Sequence, residues 1–547
     1  MKFKAHRGDS CVLLAFDIEA EYADRLAGFA VEYTSPDGKK HPVYNRIGFK
    51  EAITAETTPA QRRWTPTEQA PLQKFHWIHF PESVDPGTFT YTATAMLFKD
   101  GTEDQLEPGP SAEVSLKIMD EPFPNFRLGF TRGYISSQAY AERFKNAPIE
   151  PDQPTIEFDS KPFEERYRWL GFHARRLVFD LLEETVADPS LSLDVFAYDL
   201  NEPDVIRALE QLGPRLRLYL DDSKSHVAKG ALELDAKRAL AQSAGDGNVE
   251  VGHFHRFAHD KVLIQRRNGK ALKVLAGSAN FSVRGLYVQS NNVFVFDDEH
   301  TADLYEQAFE EAWQNASGFA GSDIASRWFD GAGSGLPSFE ACFSPHSTAD
   351  LSLTPAAEAV QKAQSSVLFS IMEIGTGGGV LLDAIRALPA RKDIYAFGTT
   401  QRLNGSLKVT ASGRPESPFI PFAYLADNVP APFKQEWSGG AGQVIHHKFV
   451  VVDFNDANPV VFAGSSNLSS GGEEENGDNL VAFRDRTVAT TYAVEAIKLI
   501  DHYRFRAVKR AATAQEPLRL KTRSEQWARD YYDPAQPKCR ERLLFVR

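Results

Sequence analysis

Apolar residues occur at two different spacings along the chain, and the change falls near residue 122. Before it, short runs such as CVLLAFDI (11–18) and GTFTYTATAMLF (87–98) are rich in β-branched and aromatic residues. After it, runs with helical spacing alternate with strand-like runs, as in ARRLVFDLLEETV (174–186) followed by LSLDVFAYDL (191–200). The pattern predicts an N-terminal antiparallel β-sandwich followed by α/β structure, in which mixed sheets are flanked by helices.

The α/β part contains an internal repeat. The order of helices and strands between residues 174 and 314 returns between residues 355 and 508. We therefore expect two similar α/β halves after the sandwich. The predicted domains are the β-sandwich (1–122), a first half (123–325), a second half (326–515) and a C-terminal tail (516–547). The run GTFTYTATAMLF resembles a late strand of immunoglobulin or fibronectin type III domains, with Tyr91 at the position of a tyrosine corner.

Composition limits the class of protein without defining it. The chain has 547 residues, 42% of them hydrophobic and 25% charged, which is enough to bury a large core. A net charge of -13 disfavours a general polyanion binder, although a local basic cleft remains compatible with it. Three cysteines far apart in the sequence predict neither a disulfide framework nor a cysteine metal site.

The N-terminus does not read as a secretion signal. Its short apolar run is followed at once by Asp17 and Glu19, and no stretch approaches the ~20 apolar residues of a spanning helix. The expected location is the cytoplasm, and a protein exported by a signal-independent machine would have the same features.

The strongest chemical pattern lies in the second half. The stretch VIHHKFVVVDFNDANPVVFAGSSN (444–467) holds His446 and Lys448, then Asp453, and one strand later Gly464, Ser465 and Asn467. If this H-x-K segment is a strand, His446 and Lys448 share one face, because alternate side chains of a strand do. Imidazole, ammonium and amide groups together suit a phosphoryl group, which needs charge neutralisation, hydrogen bonds and a nucleophile or proton carrier.

The first half carries the same order of residues. His259 and Lys261 are followed by Gly277, Ser278 and Asn280. Cleavage of a phosphodiester needs a nucleophile and a proton for the leaving alcohol, and two histidines supply both. We therefore expect the two copies to meet in one active site between the halves.

Two ordered copies of H-x-K followed by G-S-x-N resemble the phospholipase D superfamily, whose signature is H-x-K-x4-D followed by G-S-x-N. The second copy matches the signature in full, and the first has Arg266 at the aspartate position. Pairs of polar residues also follow each G-S-x-N at the same distance, Asn291-Asn292 in the first half and Asp478-Asn479 in the second. The resemblance covers about residues 125–510.

The resemblance implies a two-step mechanism that uses no metal and no cofactor. His259 attacks phosphorus to form a phosphohistidine, and His446 protonates the leaving alcohol and then activates water. Lys261, Lys448, Asn280 and Asn467 bind the phosphate oxygens, while Asp453 completes the motif in a structural role. Further candidates for substrate binding are Ser278, Ser465, Asn292 and Asn479. Which histidine is the nucleophile is the least constrained of these roles.

Other candidate sites have simpler interpretations. His253, His255 and His259 have a metal-like spacing, but no carboxylate or cysteine completes a zinc set. The acidic run Glu473–Glu475 reads as a solvated loop, and the glycine-rich stretch 375–379 as a turn before a helix. For the aromatic residues of the sandwich, packing in its core is the default interpretation; these are Tyr44, Trp64, Trp77 and Phe80.

The substrate is less constrained than the chemistry. Phospholipid is the first choice, because one chain with both copies and an accessory domain resembles the lipases of the family. A lipid substrate implies peripheral contact with a membrane, and the sequence identifies no protein partner. A nuclease is the second choice, because the first motif is locally basic; its basic residues are Lys261, Arg266, Arg267, Lys270 and Lys273. A phosphate-binding protein without turnover is the third. The segment 401–440 is expected to influence access to the site.

Overall fold

The N-terminal region forms two antiparallel β-sheets in this computed structural model. It describes the whole chain apart from residues 51, 59–60, 82–86, 119–120, 134–136, 332, 375–378, 404–418 and 422–444. One sheet has the order β1-β2-β7 and the other β4-β3-β8-β9, while β5 and β6 form a separate ribbon. The strands are β1 (Lys2–Arg7), β2 (Val12–Asp17), β3 (Leu26–Thr34), β4 (Lys40–Pro42), β5 (Tyr44–Asn45), β6 (Thr65–Pro66), β7 (His76–His79), β8 (Gly87–Phe98) and β9 (Leu106–Ile118).

Strand β2 is apolar throughout because both of its faces are buried. Val12, Leu14 and Phe16 pack into the core between the two sheets. Leu13 and Ala15, which point the other way, pack into a core cluster shared with the α/β part of the chain. The sandwich is therefore joined to the rest of the molecule through the body of a strand.

The first α/β half is built on a seven-stranded mixed sheet with the order β10-β17-β16-β15-β11-β12-β13. Its strands are β10 (Phe126–Phe130), β11 (Leu191–Ala197), β12 (Leu216–Asp221), β13 (Val249–Gly252), β14 (Phe257–Ala258), β15 (Val262–Arg267), β16 (Lys270–Gly277) and β17 (Asn292–Phe296). Its helices are α1 (Ser137–Phe144), α2 (Glu164–Ala187), α3 (Pro203–Leu212), α4 (Leu232–Ala244) and α5 (Glu299–Asn315). Strand β14 pairs outside this sheet.

The second half repeats this order. Its sheet runs β18-β19-β25-β24-β23-β20-β21-β22. The strands are β18 (Phe329–Asp330), β19 (Phe339–Ser344), β20 (Ser366–Ile374), β21 (Tyr395–Leu403), β22 (Phe419–Pro421), β23 (Phe449–Val452), β24 (Val460–Gly464) and β25 (Asn476–Phe483). The helices are α6 (Asp350–Gln361), α7 (Val380–Ala387), α8 (Ser470–Glu475) and α9 (Arg486–Ala511).

Apart from the edge strand β18, the two sheets match strand for strand. The order β19-β25-β24-β23-β20-β21-β22 in the second half corresponds to β10-β17-β16-β15-β11-β12-β13 in the first. In both sheets the pairs around the H-x-K strand are antiparallel and the far strands are parallel. The predicted fold class, two similar α/β halves preceded by a β-rich region, is confirmed. The exact domain boundaries stay a prediction.

The two halves meet along β17 and β25. Phenylalanine rings from both sheets stack there, with the centroids of Phe296 and Phe339 only 4.5 Å apart. Phe483 of β25 contacts the rings of Phe294 and Phe296 of β17. Backbone pairing also crosses between the halves, because β14 of the first half pairs in parallel with β25 of the second.

Two local predictions need correction. The H-x-K residues lie just before strands β15 and β23 and are not part of them. Tyr91 contacts the His79 ring at 3.0 Å, whereas the hydroxyl of a tyrosine corner bonds to the backbone.

The C-terminal segment packs onto the sandwich and the second half. Trp527, Ala528 and Tyr531 contact the sandwich core, and helix α10 (Pro537–Phe545) places Phe545 in the cluster shared with the α/β part. The polar composition of this segment conceals these few apolar anchors. Among the described residues, no helix is both long and apolar enough to span a bilayer.

The prediction that the aromatic residues of the sandwich pack in its core is wrong for three of the four residues named. Trp64 is 60% exposed, Phe80 49% and Tyr44 38%, and only Trp77 packs against the core. Tyr44 and Trp64 lie at the small β5–β6 ribbon, outside the two main sheets. There the Arg46 guanidinium stacks on the Trp64 ring at 3.6 Å.

A buried histidine joins three parts of the chain. His76 of β7 lies 2.9 Å from Asp501 of α9 and 2.8 Å from Glu541 of α10, and it is 1% exposed. Burial lowers the pKa of His76, but the two carboxylates outweigh it and raise the pKa to about 9. His76 is therefore an imidazolium at neutral pH, held between the second half and the C-terminal helix.

We expect His76→Gln to destabilise the protein by about 3 kcal/mol at pH 6.5, because it leaves two buried carboxylates without their cation. Since the folded-state pKa lies above the ordinary value of 6.5, this contribution is complete below pH 6.5 and is lost as the pH rises through about 9. Denaturant unfolding at several pH values measures it. The control is His253→Gln, which breaks an exposed pair with Asp222 and should cost less than about 1 kcal/mol. An equal loss at pH 6.5 and pH 10 would contradict the assignment.

Candidate active site

His259 takes its hydrogen-bond partner from the opposite half. Its Nδ1 lies 2.7 Å from Asp478 Oδ1, and its backbone N–H donates to the Gly477 carbonyl. Asp478 is fully buried and its pKa lies below the ordinary value, held down against burial chiefly by His259. Nδ1 therefore donates to an ionised carboxylate, and Nε2 is the atom available for chemistry.

His446 is held in the same way but by neutral groups. Its Nδ1 donates to Asn291 Oδ1 at 2.9 Å and to the Ser278 carbonyl at 3.0 Å. The Asn291 Nδ2 donates to the Gly285 carbonyl, so its oxygen is the group that faces His446. Asn291 and Asp478 occupy matching places after the two G-S-x-N turns, so the halves exchange histidine partners.

This exchange brings the two copies of the motif into one site. The five side chains His259, Lys261, Asn280, His446 and Lys448 are each 5% exposed or less. The strand pairing agrees with it, since β14 leads directly into His259 and Ile445 forms a bridge with Ser290. Their catalytic roles stay a prediction, but the structure places these residues together.

Burial weakens both lysine charges. Lys261 has a pKa lowered to about 8 by burial, against the opposing effect of Asp478 and other carboxylates. The pKa of Lys448 is lowered well below its usual range by burial and by the charge of Lys261. Each Nζ donates to the carbonyl of the histidine two residues before it. Lys261 also lies over the Tyr198 ring, and Lys448 contacts Met372 Sδ at 3.2 Å.

Each G-S-x-N turn needs its glycine because the backbone of a neighbouring strand lies too close for a side chain. A Cβ at Gly277 would overlap the carbonyl oxygen of Asn292, and a Cβ at Gly464 would overlap that of Asn479. Both glycines have positive φ angles, 146° and 159°. The turns therefore press against β17 and β25, the strands at the interface between the halves.

The proposed substrate-binding residues Ser278, Ser465 and Asn479 form hydrogen bonds around these turns. Ser278 Oγ donates to Asn291 Oδ1 at 2.8 Å, and Ser465 Oγ accepts the Asn479 N–H at 3.0 Å. Asn479 Nδ2 donates to Asp260 Oδ1 at 2.7 Å. Asn292 is fully buried. These groups hold the loops of the site in place, and their direct contact with substrate stays a prediction.

Of the two G-S-x-N asparagines, Asn280 has the better defined position. Its Nδ2 donates to Asp199 Oδ2 at 2.6 Å, while its buried Oδ1 has no partner among the described residues. Asn467 is half-buried and its Oδ1 likewise has no partner in that part of the chain. Binding of phosphate oxygens by these amides stays a prediction.

Asp453 and Arg266, at matching places in the two motifs, lie outside the group around the histidines. Asp453 Oδ1 accepts the backbone N–H of Ser365 and of Ser366, and its Oδ2 accepts that of Gln364. Asp453 thus anchors the start of β20. Arg266 instead pairs with Asp194 at 3.3 Å and with Glu306 at 2.6 Å. The departure from the signature therefore changes an anchor and leaves the histidines untouched.

Two carboxylates near the turns were missed or misread in the sequence. Glu473 is 1% exposed, not solvated, and it accepts hydrogen bonds from Ser352 at 2.5 Å and from Ser466. Burial raises the pKa of Glu473 to about 7. Asp260, between His259 and Lys261, also has its pKa raised to about 7 by burial and by Asp478. The only feature of the sequence that could have singled out Asp260 is its position inside the H-x-K motif.

Groups able to hold a metal ion lie apart from His253 and His255. His253 pairs with Asp222 at 2.6 Å. Within the described residues, Asp199, His226 and Glu233 form one cluster of potential ligands, and Asp194, Glu306 and Glu310 form another. The second cluster is bridged by Arg217 and Arg266. The glycine-rich stretch lies outside the described residues except for Gly379, the N-cap of α7.

The sequence of the first half matches a known family. The model for the PLD-like domain of cardiolipin synthase matches residues 184–313, which include His259, Lys261 and Asn280. The match agrees with the resemblance of the two motifs to the phospholipase D superfamily. No curated protein sequence shows a significant match to it.

The solved structures that resemble this chain are only distantly similar to it. A polyphosphate kinase from Porphyromonas gingivalis is 11% identical with a TM-score of 0.39; the match covers 61% of this chain and 48%, about half, of the kinase. A phosphatidylserine synthase from Haemophilus influenzae is 13% identical with a TM-score of 0.40, covering 60% of this chain and 84% of the synthase. The phospholipase D family member Nuc from Salmonella typhimurium is 20% identical with a TM-score of 0.21, covering 25% and 86%. None of these defines a substrate for this chain.

We expect Gly464→Ala to destabilise the protein by about 2–3 kcal/mol, because the added Cβ overlaps the Asn479 carbonyl. The matched control is Gly247→Ala, where no atom lies within 4 Å of the added Cβ; we expect a change below about 0.5 kcal/mol. Denaturant unfolding of both variants measures the difference. Equal stability of the two variants would contradict the close approach at this turn.

Proposed function

We propose that the protein is a metal-independent phosphodiesterase that works through a phosphohistidine on His259. One observation carries the proposal: two histidines, two lysines and an amide from two copies of one motif are buried together. Each histidine is fixed by a residue of the other half. Each half therefore contributes one histidine to the proposed site, and displacement at phosphorus needs one nucleophile and one proton donor.

His259 is the proposed nucleophile because Asp478 supports the charge that attack creates. When Nε2 bonds to phosphorus while Nδ1 keeps its proton, the ring becomes positively charged. The Asp478 carboxylate, 2.7 Å from Nδ1, stabilises that charge and holds the ring in one tautomer. The bond from phosphorus to the leaving oxygen breaks as the new P–N bond forms.

His446 is the proposed acid because its surroundings hold a proton weakly. Burial, Lys448, Lys261 and His259 together lower the pKa of His446 well below 6.5, and its acceptors are neutral. A protonated His446 is therefore a strong acid that gives its proton readily to the leaving alkoxide. In the second step neutral His446 removes a proton from water, which attacks the phosphohistidine and frees His259.

The lysines and amides are proposed to bind the phosphate. Lys261 and Lys448 supply positive charge, and an anionic phosphodiester restores the pKa values that burial lowers. Asn280 and Asn467 supply amide hydrogen bonds. Preorganised donors of this kind stabilise the added charge of the transition state most effectively in a site without bulk water.

Phospholipid is the proposed substrate. The net charge of -13 disfavours nucleic acids and strongly anionic membranes, so a zwitterionic phospholipid such as phosphatidylcholine is favoured. The exposed side chains of Tyr44, Trp64 and Phe80 suit peripheral contact with a membrane surface, where aromatic rings partition well.

The basic run that favoured a nuclease is largely neutralised by acidic partners. Arg267 pairs with Asp188 at 3.0 Å and Lys273 with Glu184 at 2.8 Å. Arg266 is paired as described above. These side chains are therefore poor candidates for binding a nucleic-acid backbone, because each would have to leave its carboxylate partner before it could contact a phosphate.

The first test is hydrolysis in EDTA, with phosphatidylcholine vesicles and single-stranded DNA offered separately. We expect choline release by the wild-type protein and by His253→Ala, an exposed neighbour, and a loss of at least about 10³-fold in His259→Ala. Circular dichroism and thermal unfolding of each variant establish that it is folded.

The other outcomes separate the alternatives. DNA cleavage without choline release would move the protein to the nuclease branch of the superfamily. Turnover that survives His259→Ala would overturn the nucleophile assignment. Phosphate binding without any turnover of either substrate would identify a phosphate-binding protein.

The pH dependence of kcat/KM distinguishes the two histidines. Because His446 must be protonated to act as the acid and its pKa lies well below 6.5, we expect kcat/KM to rise as the pH falls below 7. Asn291→Asp places a carboxylate at His446 Nδ1 and should move this limb upward by about 1–2 pH units. Asp478→Asn is the control that should not move it upward. A limb that rises with increasing pH over this range would reverse the two roles.

A further inference from the structure

A chain of hydrogen bonds outside the motif connects Asn280 to the segment that carries His259. Asn280 Nδ2 donates to Asp199 Oδ2 at 2.6 Å, and Asp199 Oδ1 lies 2.9 Å from His226 Nε2. The other ring nitrogen, His226 Nδ1, lies 2.7 Å from Asp221 Oδ1. Asp221 Oδ2 accepts the backbone N–H of Ala258 at 2.7 Å.

This chain is built into the fold. Asp199 follows strand β11, and Asp221 is the last residue of β12, which pairs with β11 in parallel. Both carboxylates therefore lie at the C-terminal ends of these two strands. His226 bridges them from the loop after β12 and is 6% exposed. The Tyr198 ring packs edge-on against the rings of both His226 and His259, with centroids 4.5 and 4.9 Å away.

The charge of His226 matters for an anionic substrate. Asp199 and Asp221 lie close enough to Lys261 to raise its pKa against burial, so their field reaches the phosphate site. Without a counter-charge, two carboxylates at this edge would repel a phosphate group. An imidazolium that donates from both nitrogens satisfies both carboxylates and offsets one of their charges. Both carboxylates raise the pKa of His226, to about 10, so the ring is charged at neutral pH.

We propose that His226 is a positioning residue for phosphate binding: its imidazolium fixes Asp199, and through it the amide of Asn280, while Asp221 ties the same ring to the His259 segment. The proposal rests on the proposed function for its kinetic consequences. The geometry of the four hydrogen bonds stands independently of which phosphodiester is cleaved.

The same cluster offers a competing interpretation as a metal site. Atoms of Asp199, His226 and Glu233 lie within 4.8 Å of one another. A metal ligand must be a neutral imidazole nitrogen, however, and here both nitrogens face carboxylates at hydrogen-bond distance. Glu233 is engaged separately, since it accepts a hydrogen bond from Asn201 Nδ2 at 3.2 Å. The doubly paired imidazolium is therefore the better description.

The test compares His226→Gln with the double variant His226→Gln/Asp199→Asn. His226→Gln removes the cation and leaves both carboxylates, so we expect KM to rise about tenfold, with a smaller fall in kcat. Asp199→Asn in that background removes one negative charge and keeps an oxygen acceptor for Asn280. We expect the double variant to recover most of the loss in KM. A merely structural role for His226 predicts no such recovery, because the second substitution then adds further damage.

Binding of inorganic phosphate by calorimetry supplies a readout that does not depend on turnover. We expect the dissociation constant to rise about tenfold in His226→Gln and to recover in the double variant. If the wild-type protein binds phosphate but hydrolyses no phosphodiester, the proposed function fails while this inference is still tested by the three dissociation constants. Equal phosphate binding in wild type and His226→Gln would overturn it. Activity abolished by EDTA and restored by Zn²⁺ in the wild type alone would replace it with the metal site.

Discussion

The exchange of histidine partners between the halves is the constraint on which the site depends. Asp478 fixes His259 and Asn291 fixes His446, so neither half can orient its own histidine alone. The exchange in turn requires the starts of β17 and β25 to lie close together, because Asn291 directly precedes β17 and Asp478 is the third residue of β25. The stacked rings of Phe296 and Phe339 join the two halves, and the two glycines let each G-S-x-N turn lie against the β17 or β25 strand of its own half. The packing between the halves and the orientation of the two histidines thus depend on the same contacts.

Within this symmetric frame, chemically different residues separate the proposed roles. One histidine faces an ionised carboxylate and the other faces an amide oxygen and a carbonyl. Two identical imidazoles in identical surroundings would compete for the same proton. A carboxylate on one side favours the ring that must carry positive charge after bonding to phosphorus, and neutral acceptors favour the ring that must release a proton. The two halves place their histidines equivalently, and an aspartate in one half at the position of an asparagine in the other makes the surroundings of the two rings different.

The sequence predicted the repeat, the order of the elements and the meeting of the two motifs, because these follow from periodicity and from the spacing of chemically distinctive residues. It did not predict the network of Asp199, His226 and Asp221. These residues lie just after β11, at the end of β12 and in the loop after β12, and nothing in their local sequence pattern marks them as partners. Glu473 was misread for a related reason: its two acidic neighbours suggest a solvated run, whereas its partners Ser352 and Ser466 become neighbours only in the fold. For Tyr44 and Trp64 the error was the opposite: they were predicted to be buried and are exposed. Composition alone does not distinguish a core strand from a peripheral ribbon.

The attachment of the sandwich argues that it forms part of the rigid frame. A domain held by a flexible linker presents a polar surface to its neighbour, but β2 buries apolar side chains on both faces. His76 adds a buried cation that is satisfied only when α9 and the C-terminal helix are both in place. Helix α9 also carries Glu495, which lies 3.3 Å from the ring of His447, the residue between His446 and Lys448. The sandwich and the C-terminal segment therefore support the helix that packs behind the second motif, and through His447 they support the segment that carries His446 and Lys448.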